Sequence, residues 1–382
     1  MRAKAWNSDA KQAFSLYSYL TIVVGLWPVF KDSLFIKFRV CTAFFHVLFA
    51  VGTAIYKLII NCGNSDDTLD AFLMIAVGIV VCTKLIILYN YRDFLWMIIN
   101  SAFADWETTD EKNIKIMKTH AKTCKRMAKV YYSAGLASCI SYLLNVIVFS
   151  KVADFTDDKN FNVTSRVYAL PGGCIYNGSP NYFYYFIIVD QLIQLLSCCA
   201  TNFGSDTMFV AVTTHICGQF EILKLKMVQV GRGPDYRRNR EYLGAIIYRH
   251  KHLMKIAETL EETFNKIIFA QMLASVVLIC VGGMSLLVNL KHGDLMGVIK
   301  AVGVMNFMFL QSYIYTYPSD NLGNQATGLM QALYKSHWYK LPSNLMKDIL
   351  FVMMRINLPS YLTAGKFFYM TRRSYMDVIK TA

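Results

Sequence analysis

The chain has 382 residues, 55% of them hydrophobic and only 17% charged, with a formal net charge of +14. A soluble domain of this size would need a core larger than its polar surface could cover, so composition excludes an ordinary globular protein. Nor does the positive charge point to nucleic acid: the basic residues flank long apolar runs, where they meet anionic lipid headgroups.

Phe14 to Phe30 is moderately apolar, but no small-residue cleavage site follows it before Lys31 and Asp32. It reads as an interfacial helix with Trp6, Tyr17, Tyr19 and Trp27 at headgroup depth, inside a cytoplasmic N-terminal region of residues 1–39. Six apolar segments follow within residues 40–317, each near the roughly 20 residues that cross a hydrocarbon layer. They run from about Val40 to Ile60, Leu69 to Asn90, Val130 to Ser150, Asn181 to Thr213, Ile267 to Leu290 and Leu295 to Tyr317. Thirty-one of the 39 Lys and Arg residues crowd alternate gaps between them: before the first span, between Arg92 and Lys129, between Lys224 and Lys266, and from Lys335 to Arg373. The intervening gaps hold few, with Asp66 and Asp67 in the first, and Lys291 alone in the third. Basic residues near short loops stay on the cytoplasmic side, so the N-terminus faces in and those gaps face out.

Two sequons, Asn162-Val163-Thr164 and Asn177-Gly178-Ser179, fall in the outward gap after the third span, which makes Asn162 and Asn177 candidate glycosylation sites. The ten cysteines show no metal-like spacing, and no cofactor motif occurs. Cys62 and Cys174 alone lie outside, where an oxidising exterior permits a disulfide between them. In the long inward gaps, Leu243, Ile246, Ile247, Leu253, Ile256, Leu260 and Phe264 recur at helical spacing, so residues 242–266 form an amphipathic helix that runs on into the fifth span. Gly231, Gly233 and Pro234 mark the turn before it, and His250 and His252 fall on its solvated face. Residues 318–373 read as cytoplasmic helices, with Ser343 to Ile356 amphipathic. A last span would begin near Ser374, but the residues to Ala382 rise only about 14 Å as a helix, so that span is incomplete.

The same region carries a resemblance. Tyr315-Thr316-Tyr317-Pro318-Ser319-Asp320-Asn321-Leu322, then Ala332-Leu333-Tyr334, Trp338-Tyr339, Arg355, Pro359 and Leu362-Thr363-Ala364-Gly365-Lys366-Phe367-Phe368 resembles the C-terminal signature of insect odorant receptors. The resemblance implies an all-α polytopic membrane protein of seven transmembrane helices, N-terminus cytoplasmic and C-terminus extracellular. It also implies an odorant-gated cation channel in which a tuned subunit assembles with a shared co-receptor subunit as a heterotetramer, in the plasma membrane of an olfactory neuron's dendrite. The last helices would line the pore, and cytoplasmic residues such as Tyr334, Trp338, Tyr339 and Phe367 would anchor subunit contacts. The family's gate positions lie beyond Ala382, so none is assigned.

The ligand this implies is a small apolar volatile, and the outer halves of the spans offer side chains to hold it. Those nominated are Phe72 and Ile75, Tyr142, Val146 and Phe149, Phe183, Phe186 and Ile187, then Val302, Met305 and Asn306. Asp190, Gln191 and Gln194 are polar at membrane depth and should face a cavity or a partner. A gustatory-type channel would share this topology. A metabotropic seven-span receptor would have an external N-terminus, and a transporter would show repeated halves with interrupted helices. An enzyme would need a motif of the GxSxG, P-loop or HExxH kind, and the sequence has none.

Overall fold

In a long apolar segment with no polar solvent, the backbone must satisfy its own N–H and C=O groups, and a helix does so within one stretch of chain. The computed structural model, which describes residues 8–30, 33–62, 65–107, 110–155, 168–171, 173–176, 180–356 and 361–381, is helical almost throughout. Its elements are α1 (Ser8–Val24), α2 (Leu34–Ile60), α3 (Ser65–Asn90), α4 (Arg92–Asp105), α5 (Glu111–Phe155), α6 (Asn181–Met227), α7 (Tyr236–His292), α8 (Leu295–Tyr334), α9 (Ser343–Ile356), β1 (Thr363–Ala364), β2 (Phe368–Tyr369) and α10 (Arg372–Thr381).

Among the described residues, five helices are long and apolar enough to cross a membrane: Leu34–Ile60, Thr68–Asn90, Tyr182–Met227, Tyr236–His292 and Leu295–Lys340. They carry the first, second, fourth, fifth and sixth predicted spans. The third falls on α5, a helix of 45 residues. Helix ends follow the local sequence. Ser33 caps α2, its hydroxyl accepting the Ile36 N–H, and Asp235 caps α7 by accepting the Arg238 N–H at 2.8 Å. The α7–α8 turn needs only Gly293, left-handed at φ 71°, and Asp294, whose carboxylate accepts the Met296 N–H. The end of the bundle bearing this turn is called upper below. The lower end is the one the charge pattern assigns to the cytoplasm.

Helix α6 is the hub, packing against α8, α5, α1, α2 and α7. Its stretch Thr207–Thr214 is buried on every side. Outward faces tell the complementary story: Phe38, Phe45, Tyr56 and Ile59 on α2 and Leu287 and Leu290 on α7 are exposed large hydrophobics, too many for water and appropriate to lipid.

The chain departs from its sequence reading in four places. Helix α1 belongs to the bundle: Tyr17 and Trp27 are buried in protein rather than at headgroup depth, and Gly204 of α6 lets the backbone at Thr21 come close. Helix α8 does not stop at Tyr317 but runs through Pro318 to Tyr334; the ring forfeits one backbone bond, and packing against α6 and α7 offsets that loss. Residues 363–369 form a small antiparallel hairpin, Thr363 opposite Tyr369 and Ala364 opposite Phe368, where helix was expected. Gly365 and Lys366 both take positive φ at its turn, and Glu261 of α7 accepts both the Thr363 N–H and its hydroxyl. His250 is buried and His252 meets Ser101 Oγ at 2.9 Å, so neither sits on a solvated face. The predicted helix at Ser343–Ile356 is α9, and the predicted apolar stripe of residues 242–266 is the buried face of lower α7.

Candidate functional site

In the upper half of the bundle a cavity of about 140 Å³ opens between α3, α5, α6, α7 and α8. Leu73, Met74 and Val77 of α3, Leu195 and Phe203 of α6, Leu278 of α7, and Val304, Phe307 and Met308 of α8 make it mostly apolar. Leu170 and Pro171, from the stretch before α6, close one side. That stretch is held by Gln191, whose side-chain oxygen accepts the Ala169 and Leu170 N–H groups at 2.9 and 3.2 Å. Asp70 also lines the cavity, and Lys300 of α8 donates to its carboxylate. Cys139 of α5 and Cys199 of α6 meet on the wall with sulfur atoms 3.3 Å apart.

Aromatic rings and a polar cluster form the floor. Phe203 and Phe307 line the cavity and pack on Tyr131 of α5, Phe307 stacked at 5.3 Å and Phe203 edge-on at 5.3 Å. Gly135, one turn along α5, makes room for the Phe203 ring, which a Cβ there would overlap. Below them, Lys84 of α3 and Asp206 of α6 form an ion pair at 2.5 Å with both side chains fully buried. The Asp206 carboxylate also accepts from Tyr131 at 2.6 Å, Tyr315 at 2.5 Å, Gln311 at 2.7 Å and Ser205 at 3.3 Å. Lys84 donates as well to the Asn202 side-chain oxygen at 2.5 Å, and Gln311 reaches the same atom at 3.2 Å. A charge inside an apolar run is tolerable only when paired and hydrogen-bonded, and this one is both. One carboxylate thus ties α3, α5, α6 and α8 together directly below the cavity.

None of the nominated ligand residues whose side chains are described lines this cavity. Phe72, Phe183, Phe186, Val302 and Asn306 are exposed on outer helix faces, while Ile75, Ile187 and Met305 are half-buried. Tyr142, Val146 and Phe149 lie on α5 where side chains fall outside the described residues, as do the sequons at Asn162 and Asn177 altogether. The cavity lining on α3, α6 and α8 sits one position round from the nominated residues or a few turns deeper, and α7 adds Leu278. Asp190 is held by Gln194 Nε2 at 2.6 Å and stands apart from the cavity. Asp206 is not among the nominated residues, although an acid within an apolar run is the signal that finds it. Cys62 is disulfide-bonded, while Cys41, Cys82, Cys124, Cys139, Cys198, Cys199, Cys217 and Cys280 are free thiols.

At the lower end a second cluster joins α4, α6 and α7. Asp105 accepts from Arg249 at 2.6 Å and from His215 Nε2 at 3.1 Å. Burial pushes its carboxyl up, but the hydrogen bond and charge of His215, then those of Arg249, outweigh that and hold it below the usual carboxylate range. Tyr334, Tyr339 and Phe367 are also exposed, at 66%, 61% and 78%; Trp338 is half-buried beside Tyr334 and Tyr339, and Phe367 packs on Phe269.

Fold and cavity together define a membrane-spanning helical bundle with an internal chamber of small-molecule size. Residues 64–382 match the 7tm Odorant receptor family, and the chain belongs to it. It is 22% identical to Odorant receptor 13a of Drosophila melanogaster over 94% of this chain and 90% of that receptor. Odorant receptor 85b of the same species is 20% identical over 68% of this chain and 65% of its own length. In fold it is similar to the insect olfactory receptor OR5 from Machilis hrabei, with a TM-score of 0.80 at 15% identity over 98% of this chain and 97% of that one. The complex of OR5 with eugenol is matched equally well, TM-score 0.80 at 14% identity. The resemblance carried by the C-terminal residues is borne out.

Proposed function

We propose that this chain is the odorant-binding subunit of a ligand-gated, non-selective cation channel, working in a heterotetramer with a shared co-receptor subunit in the plasma membrane. The observation that carries the reading is the position of Asn202: it lines the cavity and bonds the Lys84–Asp206 cluster that joins α3, α5, α6 and α8. Occupancy of the chamber and the packing of α8 therefore share one joint. Helix α8 in turn contacts the last helix, through Tyr375 to the Phe309 carbonyl at 3.2 Å and through Arg372 to Asp320 at 3.2 Å.

A volatile that binds the open arrangement more tightly than the closed one shifts the population toward opening. Burying about 200 Å² of apolar ligand surface contributes at most roughly 5 kcal/mol, so micromolar affinity requires close fit and a polar contact. Broad tuning follows. That OR5 of Machilis hrabei is solved with eugenol bound supports a small organic ligand for this cavity. The exposed aromatics at the lower end, Tyr334 and Tyr339 beside half-buried Trp338, and Phe367 beside Phe269, supply a surface for the subunit contacts of the tetramer.

Whole-cell recording from cells expressing the full chain, with and without the co-receptor, tests this against a panel of volatiles and a G-protein blocker. The expected result is an odorant-evoked cation current that requires co-expression and survives the blocker. Current that the blocker abolishes would instead assign a metabotropic receptor.

A further inference from the structure

We propose that Asn202 donates a hydrogen bond to the bound ligand and selects small molecules carrying a carbonyl or ether oxygen over hydrocarbons of the same shape. This rests on the reading of the cavity as the ligand site and assigns that site its chemical preference.

The argument begins with what surrounds the Asn202 amide. A lysine ammonium has only donors, and Lys84 points its ammonium at one end of the amide from 2.5 Å, with the donor Nε2 of Gln311 at 3.2 Å from the same atom. That end has to be the oxygen, since the flipped amide would aim its own N–H groups at a cation. The NH₂ end is thereby turned the other way. Among the described residues it donates to no protein acceptor, yet it is not among the sealed orphan polar atoms of the interior such as Gln271 Oε1. The residue is only 8% exposed and it lines the cavity, so the open space its NH₂ group meets is the cavity itself.

Other polar groups on the described wall compete poorly. Asp70 is an acceptor already engaged by Lys300, Ser138 already has an interaction of its own, and the thiols of Cys139, Cys198 and Cys199 are weak donors. An amide donor in an apolar chamber loses its water when a ligand enters, and an acceptor on the ligand replaces that bond where a hydrocarbon leaves it unmade. The difference corresponds to roughly tenfold in affinity. The same bond would place the ligand on the atom chain Asn202–Lys84–Asp206, so the preferred group also touches the cluster that ties the helices together. In size the chamber, about 140 Å³, is close to one that takes a benzene-sized guest.

Cyclohexanone, methylenecyclohexane and cyclohexanol are nearly matched in shape and differ at one group: an acceptor, a carbon, and a hydroxyl that both donates and accepts. Their dissociation constants are measured on the full chain in lipid nanodiscs by ligand-induced thermal stabilisation, without reference to channel current. The wild type is expected to bind the ketone about tenfold more tightly than methylenecyclohexane. Asn202→Asp keeps an oxygen for Lys84 and replaces the donor by an acceptor, so it should erase the ketone's advantage and rank cyclohexanol above it. Should that variant fail to fold, the wild-type ratio decides alone. Equal affinity for ketone and hydrocarbon, or binding of none of the three, overturns the proposal. Val77→Phe, which fills the cavity, should abolish binding of all three; unchanged binding there would instead locate the failure in the reading of the cavity.

Discussion

Asp206 and Asp105 use the same device at different depths. Each is a carboxylate on or beside α6 that gathers a cation and hydrogen-bond donors from other helices, but their surroundings differ. Asp206 and its partner Lys84 are fully buried inside apolar runs, and the carboxylate collects five donors, its acceptor capacity used in full. Asp105 retains 12% side-chain exposure, and its partner Arg249 retains 30%. Water can relieve a broken pair at the lower end, and nothing can relieve one beneath the cavity. A rigid joint under an adaptable chamber suits a protein that must feel a weakly bound ligand, whereas the lower cluster is free to respond to solvent.

The largest effect expected from this contrast follows loss of Asp206. Asp206→Leu strands the Lys84 ammonium in a site without water, which costs about 3–5 kcal/mol and should abolish folded receptor in detergent, read as loss of the monodisperse peak and of the cooperative thermal transition. Adding Lys84→Met removes the stranded charge, and the double variant should recover much of the stability. A wild-type melting temperature for Asp206→Leu alone would show that the cluster is not the joint described.

Next in size is Gly135. A side chain there has to displace the Phe203 ring, and overpacking of this kind costs about 1–3 kcal/mol. Gly135→Val should therefore weaken binding of every cavity ligand more than it lowers the melting temperature, because Phe203 lines the chamber and packs on Tyr131, Tyr132 and Phe307, so the displaced ring disturbs the chamber wall. The reverse pattern, a large drop in melting temperature with unchanged affinity, would place the strain in the joint instead.

Much of this architecture was legible in the residues. Alternating basic gaps, the apolar runs, the turn at Gly231, Gly233 and Pro234, the stripe on lower α7 and the bounds of α9 all follow from local chemistry. The C-terminal motif was legible as a pattern, and the structure gives its members work: Tyr315 donates to Asp206, and Asp320 pairs with Arg372. The faces of the spans were not legible, for a physical reason. A soluble helix announces its buried side by polar residues opposite, but a span is apolar toward lipid and toward protein alike, so periodicity carries no direction. Phe72 and Leu73 are equally plausible from sequence, and only packing turns Leu73 to the cavity and leaves Phe72 exposed. Lys84 and Asp206 were each visible as charges within apolar runs; that they meet across the bundle was not.

Asp105 should give a smaller effect, one that depends on pH. Its folded carboxyl titrates below the unfolded value of about 3.9. The stabilisation it supplies is therefore complete above about pH 4 and disappears as pH falls through the lower folded value. Asp105→Asn should lose about 1.5 kcal/mol near neutrality, and its melting temperature should converge on the wild type's as both are acidified. A difference between the two that stays constant down to pH 2 would mean that Asp105 acts by shape alone.

The smallest effect is expected at the rim of the cavity, where Asp70 and Lys300 pair with about a fifth of each side chain exposed. A part-buried pair at a rim open to solvent contributes about 1 kcal/mol, so Asp70→Asn should lower the melting temperature only slightly. The pair nevertheless joins α3 to α8 beside the chamber, and a ligand passing between those helices would have to part it. Asp70→Asn should then raise association and dissociation rates of a cavity ligand together, leaving the dissociation constant within about twofold, and added salt should do the same to the wild type by screening the pair. Stopped-flow rates in nanodiscs separate the cases: equal acceleration of both rates assigns the pair to the entry route, while a change in dissociation rate alone assigns it to the bound ligand's own contacts.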